Sequence, residues 1–111
     1  MKFLITGKMK DMALAVPIPL YRQLTEAGVA VINKQKKEGK VQEAYWIPGV
    51  GTTVIIGEAN TAEELVKNFN EAPISAYMSF EIFPLADFNE SMKIIIERLK
   101  AAEKLFPSAA K

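Results

Sequence analysis

Apolar positions along the chain fall into seven blocks at two spacings. Residues 2–9 (KFLITGKM) are apolar and β-branched, the make-up of a strand. Leu20, Leu24, Ala27, Val31 and Ile32 recur near helical spacing behind Pro19, a residue suited to a first helical turn. That run stops at Gly39, with Lys34, Lys36 and Lys37 complementing the helix C-terminus. Residues 41–47 (VQEAYWI) and 52–59 (TTVIIGEA) read as strands joined by the turn Pro48-Gly49-Val50-Gly51. Thr61, with Glu64 three residues on, has the form of a capping box, and Leu65, Val66 and Phe69 give a short helix its buried stripe. Pro73 falls in the next loop, and residues 77–85 (YMSFEIFPL) form a fourth strand. Asp87 caps a last helix over 89–105, made amphipathic by Met92, Ile95, Ile96, Leu99 and Ala102. Residues 107–111 read as a polar, fraying tail.

The order βαββαβ predicts an α+β, ferredoxin-like domain: a four-stranded antiparallel sheet with two helices on one face. One domain covers 1–111, with a core over 2–87 and the helix 89–105 added. Alternation within the strands makes both sheet faces apolar. Phe3 and Ile5 oppose Leu4, Ile55 opposes Val54 and Ile56, and Met78, Phe80 and Ile82 oppose Phe83 and Leu85. The face without helices would expose roughly 400 Å² of apolar surface, about 10 kcal/mol of forgone burial. Monomers rarely leave such a patch open. The last helix could cover it; two sheets pairing face to face as a homo-oligomer is the preferred expectation.

Composition narrows the chemistry. The chain has 111 residues, with 14 basic and 13 acidic side chains for a net charge of +1, so it has no general attraction for nucleic acid or anionic membranes. No apolar run approaches the roughly 20 residues that span a bilayer, and the FLIT stretch is too short for a signal-peptide core, so a cytoplasmic location is expected. There is no His and no Cys. A Ser-His-Asp triad, a Cys nucleophile and thiolate or imidazole metal sites are excluded, and proton transfer must use Asp, Glu, Lys, Tyr or water. Gly49-Val50-Gly51 lacks the length and the Lys of a phosphate loop. No metal and no cofactor is expected.

The chain resembles the muconolactone isomerase family within the dimeric α+β-barrel group, over roughly residues 2–87. The resemblance rests on the N-terminal strand, EGK at 38–40, YWIPG at 45–49, AEEL at 62–65, and above all AYMSFEIFPL at 76–85. It implies a cofactor-independent isomerase that moves a proton on a small unsaturated lactone in aromatic catabolism, working as sheet-to-sheet dimers or rings of dimers. The isomerases carry His and Arg around the tryptophan of the second strand. Here Trp46 is flanked by Glu43, Ala44, Tyr45 and Ile47, and the helix at 89–105 runs past the usual isomerase end.

Abstracting a proton α to a lactone carbonyl needs a base and a donor for the enolate oxygen. Glu81 lies mid-strand between Phe80 and Ile82, and falls on the Glu of the closing strand that the resemblance picks out; a structural ion pair with Lys2 or Lys8 is the competing role. Glu43 shares a face with Tyr45, a base beside a donor, or is an edge-strand charge that discourages aggregation. These three are the candidate catalytic residues. Trp46, Tyr77 and Phe83 are the candidate contacts for a small organic ligand, against a core or interface role. The apolar loop at 12–18 could form a lid over that pocket or equally pack on a partner subunit. The alternative function is a non-catalytic ligand-binding or assembly protein of the same fold; a cofactor-independent oxygenase is a third possibility that no residue singles out.

Overall fold

Four strands, β1 (Lys2–Met9), β2 (Val41–Ile47), β3 (Thr52–Glu58) and β4 (Met78–Leu85), pair antiparallel in the order β2-β3-β1-β4. Helices α1 (Ile18–Lys37) and α2 (Ala62–Phe69) connect them in the ferredoxin-like way, and α3 (Phe88–Leu105) follows β4. The structure is a computed structural model that describes residues 1–11 and 15–106. Residues 12–14 of the expected lid loop and the expected tail at 107–111 lie outside the described residues.

Register decides which side chains meet. Ile5 lies between Ile55 and Ile82, and Phe3 between Gly57 and Pro84. Phe3, Ile5, Ala59 and Leu65 are buried together, with Ile55, Phe69 and Phe80 packed against them. This core lies on the face under α1 and α2. The rings of Phe69 and Phe80 stack 4.7 Å apart and nearly parallel, joining α2 to β4.

A bulge in β2 sets the remaining faces. Val41 pairs with Gly57 and Ala44 with Ile55, so one residue of β2 between them is unpaired. Val41, Ala44 and Trp46 thereby share the helix side of the sheet, and Glu43, Tyr45 and Ile47 take the open side.

The caps form as their sequence spacing demands. Thr61 Oγ1 accepts the Glu64 N–H at 3.2 Å, Glu64 Oε2 accepts the Asn60 N–H at 3.0 Å, and Asp87 Oδ2 accepts the Glu90 N–H at 2.9 Å. Thr61→Ala is expected to cost about 1 kcal/mol, read as a lowered urea midpoint.

Three expectations change. Val66 does not join the buried stripe of α2: it is exposed, and Asn68 is buried in its place beside Leu65. The 3₁₀ turn Pro73–Tyr77 takes Tyr77 out of β4. Finally, α3 does not cover the open face of the sheet, and none of its residues is buried.

Candidate functional site: a cavity between sheet and helices

Under α1 and α2 the sheet does not meet the helices everywhere. A cavity of about 390 Å³ remains, within the range of small-molecule sites. Its sheet wall comes from residues of all four strands, among them Ile5, Trp46, Ile55 and Phe80, and its helix wall includes Gly28 and Ile32. Glycine allows the close approach around it. A Cβ at Gly28 would lie 3.1 Å from Ile74 Cγ2, and one at Gly57 would lie 3.1 Å from Ile5 Cδ1.

The polar groups in these walls are few. Gln35 is buried and its Nε2 donates to the Asn68 carbonyl at 3.0 Å, tying α1 to α2. Among the described residues Lys40 is the single charged member of the lining. Its Nζ sits 3.7 Å from Glu71 Oε1 and 3.8 Å from Glu38 Oε1, distances that leave its donors mostly free. Lys34 Nζ donates to Glu71 Oε2 at 3.3 Å. This hydrogen bond, more than the charges of Lys34 and Lys40, holds the Glu71 carboxyl below its ordinary range, while burial opposes it. A carboxylate with a depressed folded pKa contributes stability above its unfolded pKa and loses it as pH falls through the folded value. Glu71→Gln should therefore lower the neutral plateau slightly, leave stability at low pH unchanged, and so flatten the acid limb of a stability-against-pH curve below about pH 4.3.

Of the residues singled out in the sequence, Trp46 lines this cavity. Glu43, Tyr45, Glu81 and Phe83 lie on the opposite face of the sheet. Tyr45, Val54, Thr6 and Glu81 form one row across the four strands, and Glu43, Ile56, Leu4 and Phe83 form the next. The end members of a row are three strand spacings apart, about 14 Å. Within one chain, then, Glu81 does not meet Tyr45. Glu43 does: the Tyr45 hydroxyl donates to Glu43 Oε2 at 3.2 Å. That bond, helped by the carboxylate charge, raises the Tyr45 pKa and keeps the phenol protonated. Glu81 forms no ion pair among the described residues, with Lys2, Lys8 or any other cation. Tyr77 is partly buried at the end of the 3₁₀ turn, where its carbonyl accepts the Lys10 N–H at 2.8 Å.

Sequence reading passed over Lys40 and Gln35. Lys40 figures there only as the last residue of the EGK turn at 38–40. Gln35 carried a usable signal: it lies three and four residues after Ile32 and Val31, on the buried stripe of α1, where a polar residue needs a partner.

Among the described residues no group of three or more acidic side chains could hold a metal ion, and no helix is long and apolar enough to cross a membrane. The family model for muconolactone δ-isomerase matches residues 1–91, and the chain belongs to that family. The fold is similar to that of a muconolactone isomerase crystal structure, at 20% identity and a TM-score of 0.68, covering 78% of this chain and 90% of that one. It is also similar to 5-chloro-2-hydroxyhydroquinone dehydrochlorinase from Burkholderia phenoliruptrix AC1100, solved with 2,5-dihydroxybenzoquinone. There the identity is 16% and the TM-score 0.62, covering 81% of this chain and 98% of that one. No curated protein sequence matches.

Proposed function

We propose that this chain binds a small, flat cyclic carbonyl compound, an unsaturated lactone being the fitting class, in the cavity between the sheet and helices α1 and α2. The cavity carries this reading. Its volume of about 390 Å³ suits a five-membered ring with a short side chain. Its walls are mostly apolar, Trp46 offers an aromatic surface, and Lys40 supplies one positive charge for a carboxylate or a polarised carbonyl oxygen. No carboxylate, His or Cys lies among the lining residues. The cavity thus provides binding and an electrophile without an evident general base. The function it supports best is ligand binding within the muconolactone isomerase family.

The contact between Glu43 and Tyr45 favours a second reading, cofactor-independent isomerisation on the open face of the sheet. A carboxylate beside a protonated phenol has the two parts an enolisation needs. Glu43 would take the γ proton of an α,β-unsaturated lactone while Tyr45 donates a hydrogen bond to the dienolate oxygen. Returning that proton to the α carbon would shift the double bond and restore both groups. Glu81 and Phe83, at the far edge of the sheet about 14 Å away, lie beyond the reach of a small ring held there.

Muconolactone added to the protein in heavy water separates the two readings, with Trp46 fluorescence and proton NMR followed together. The chain has one Trp, which is 61% exposed at the cavity edge, so its emission reports that edge. Saturable quenching without deuterium uptake is the expected result. Deuterium uptake that Glu43→Gln abolishes, with no change in Trp46 emission, would replace the binding reading by the isomerase one.

A further inference from the structure

Helix α3 stands away from the rest of the fold. Phe88, Leu99 and Phe106 are 71%, 59% and 65% exposed. The molecule is 66 Å long but only 30 by 23 Å across, and its radius of gyration of 19.6 Å compares with about 13 Å for a compact chain of this length. Most of α3 lies beyond the family match at residues 1–91.

Two features of α3 identify what covers it. Apolar residues Phe88, Met92, Ile95, Leu99 and Ala102 of α3 are separated by four, three, four and three positions. This is a 3.5-residue repeat, the seam of a helix that packs along another helix. Arg98 and Glu103 flank the seam on opposite sides, five residues apart. Those are the flanking positions that meet across a parallel two-stranded coil, and here they carry opposite charges. The far side of α3 carries Glu90, Glu97 and Lys104 and suits solvent. We infer that α3 is a docking element for a second copy of this chain, pairing in parallel with α3 of that copy along this seam.

The area is consistent with such a contact. Five seam residues at roughly 60–120 Å² each bury about 400 Å² per copy, against about 800 Å² per partner in a standard stable interface. The seam alone therefore supports a concentration-dependent association. Phe83 and Leu85, on the open face just before α3, continue the apolar strip.

The chain has no cysteine, so single-cysteine variants of the full protein report the contact directly. Leu99→Cys places a thiol on the seam and Glu97→Cys places one on the far side of the same helix. Under mild oxidation Leu99→Cys should form the disulfide-linked dimer at least tenfold faster. Sedimentation equilibrium should show a self-associating wild type, and Ile95→Asp should weaken that association at least tenfold. Because α3 lies outside the core, the strand signal in circular dichroism should stay unchanged. Equal cross-linking of the two thiols, a wild type that stays monomeric at high concentration, or an association that Ile95→Asp leaves intact would overturn the inference.

Discussion

Replacing Ile5 with alanine is expected to lower the unfolding free energy by about 2–5 kcal/mol, the largest effect of any single truncation in this domain. Ile5 is 2% exposed, lies mid-sheet between Ile55 and Ile82, and touches the close approach at Gly57. The surroundings cannot collapse into the space, because Ile5 already borders the cavity and the β1 backbone is held by a neighbour on each side. A domain of this size has about 5–15 kcal/mol in total, so Ile5→Ala uses up a large share of it. The melting temperature should fall by roughly 4–8 °C per kcal/mol. Urea melts of Ile5→Ala beside Ile56→Ala provide the check. Ile56 sits on the open face, paired with Leu4 and Glu43, and should cost much less in a dilute monomer.

The second large effect concerns the ligand. Lys40→Met should weaken binding of an anionic lactone by about 10- to 100-fold, the worth of one charge-assisted hydrogen bond. Binding of a neutral ring of the same size should be nearly unaffected. Methionine keeps the length and the apolar stem of the side chain, so the cavity wall is preserved. The ion pairs lost, at 3.7 and 3.8 Å to Glu71 and Glu38, are long and partly exposed, and Glu71 retains Lys34. Stability should therefore change by less than about 1 kcal/mol. Titration calorimetry with a carboxylate-bearing lactone and an uncharged lactone measures the difference. Equal losses for both would mean that Lys40 acts through packing and not through charge.

Most of the architecture was legible in the chain because strands and helices bury residues at different periods. β2 falls at 41–47, and the caps at Thr61 and Asp87 form the hydrogen bonds their spacing calls for. The placing of Glu43 and Tyr45 on one face was also readable, since alternation holds after the bulge. What stayed hidden depends on contacts between distant elements. Val66 fits an apolar stripe in sequence, but the side of α2 that meets the sheet is set by Leu65, Asn68 and Phe69. The cavity arises from four strands, two helices and the glycines that let them approach, and no short motif encodes it. Trp46 and Glu43 are three residues apart, yet the pleat sends one into the cavity and the other to the opposite face. That separation splits the expected site in two. The amphipathic pattern of α3 was plain in the sequence, but amphipathicity states that a face needs covering and leaves open which surface covers it.

Isoleucine methyl spectra test the location of the ligand site most directly. Ile5, Ile32, Ile55 and Ile74 line the cavity, while Ile47 and Ile56 lie on the open face of the same sheet. Titration with muconolactone should shift the first four methyl signals in a common saturable curve and leave the last two in place. Shifts confined to Ile47 and Ile56, with the cavity methyls unmoved, would contradict binding between sheet and helices and place the ligand beside Glu43 and Tyr45.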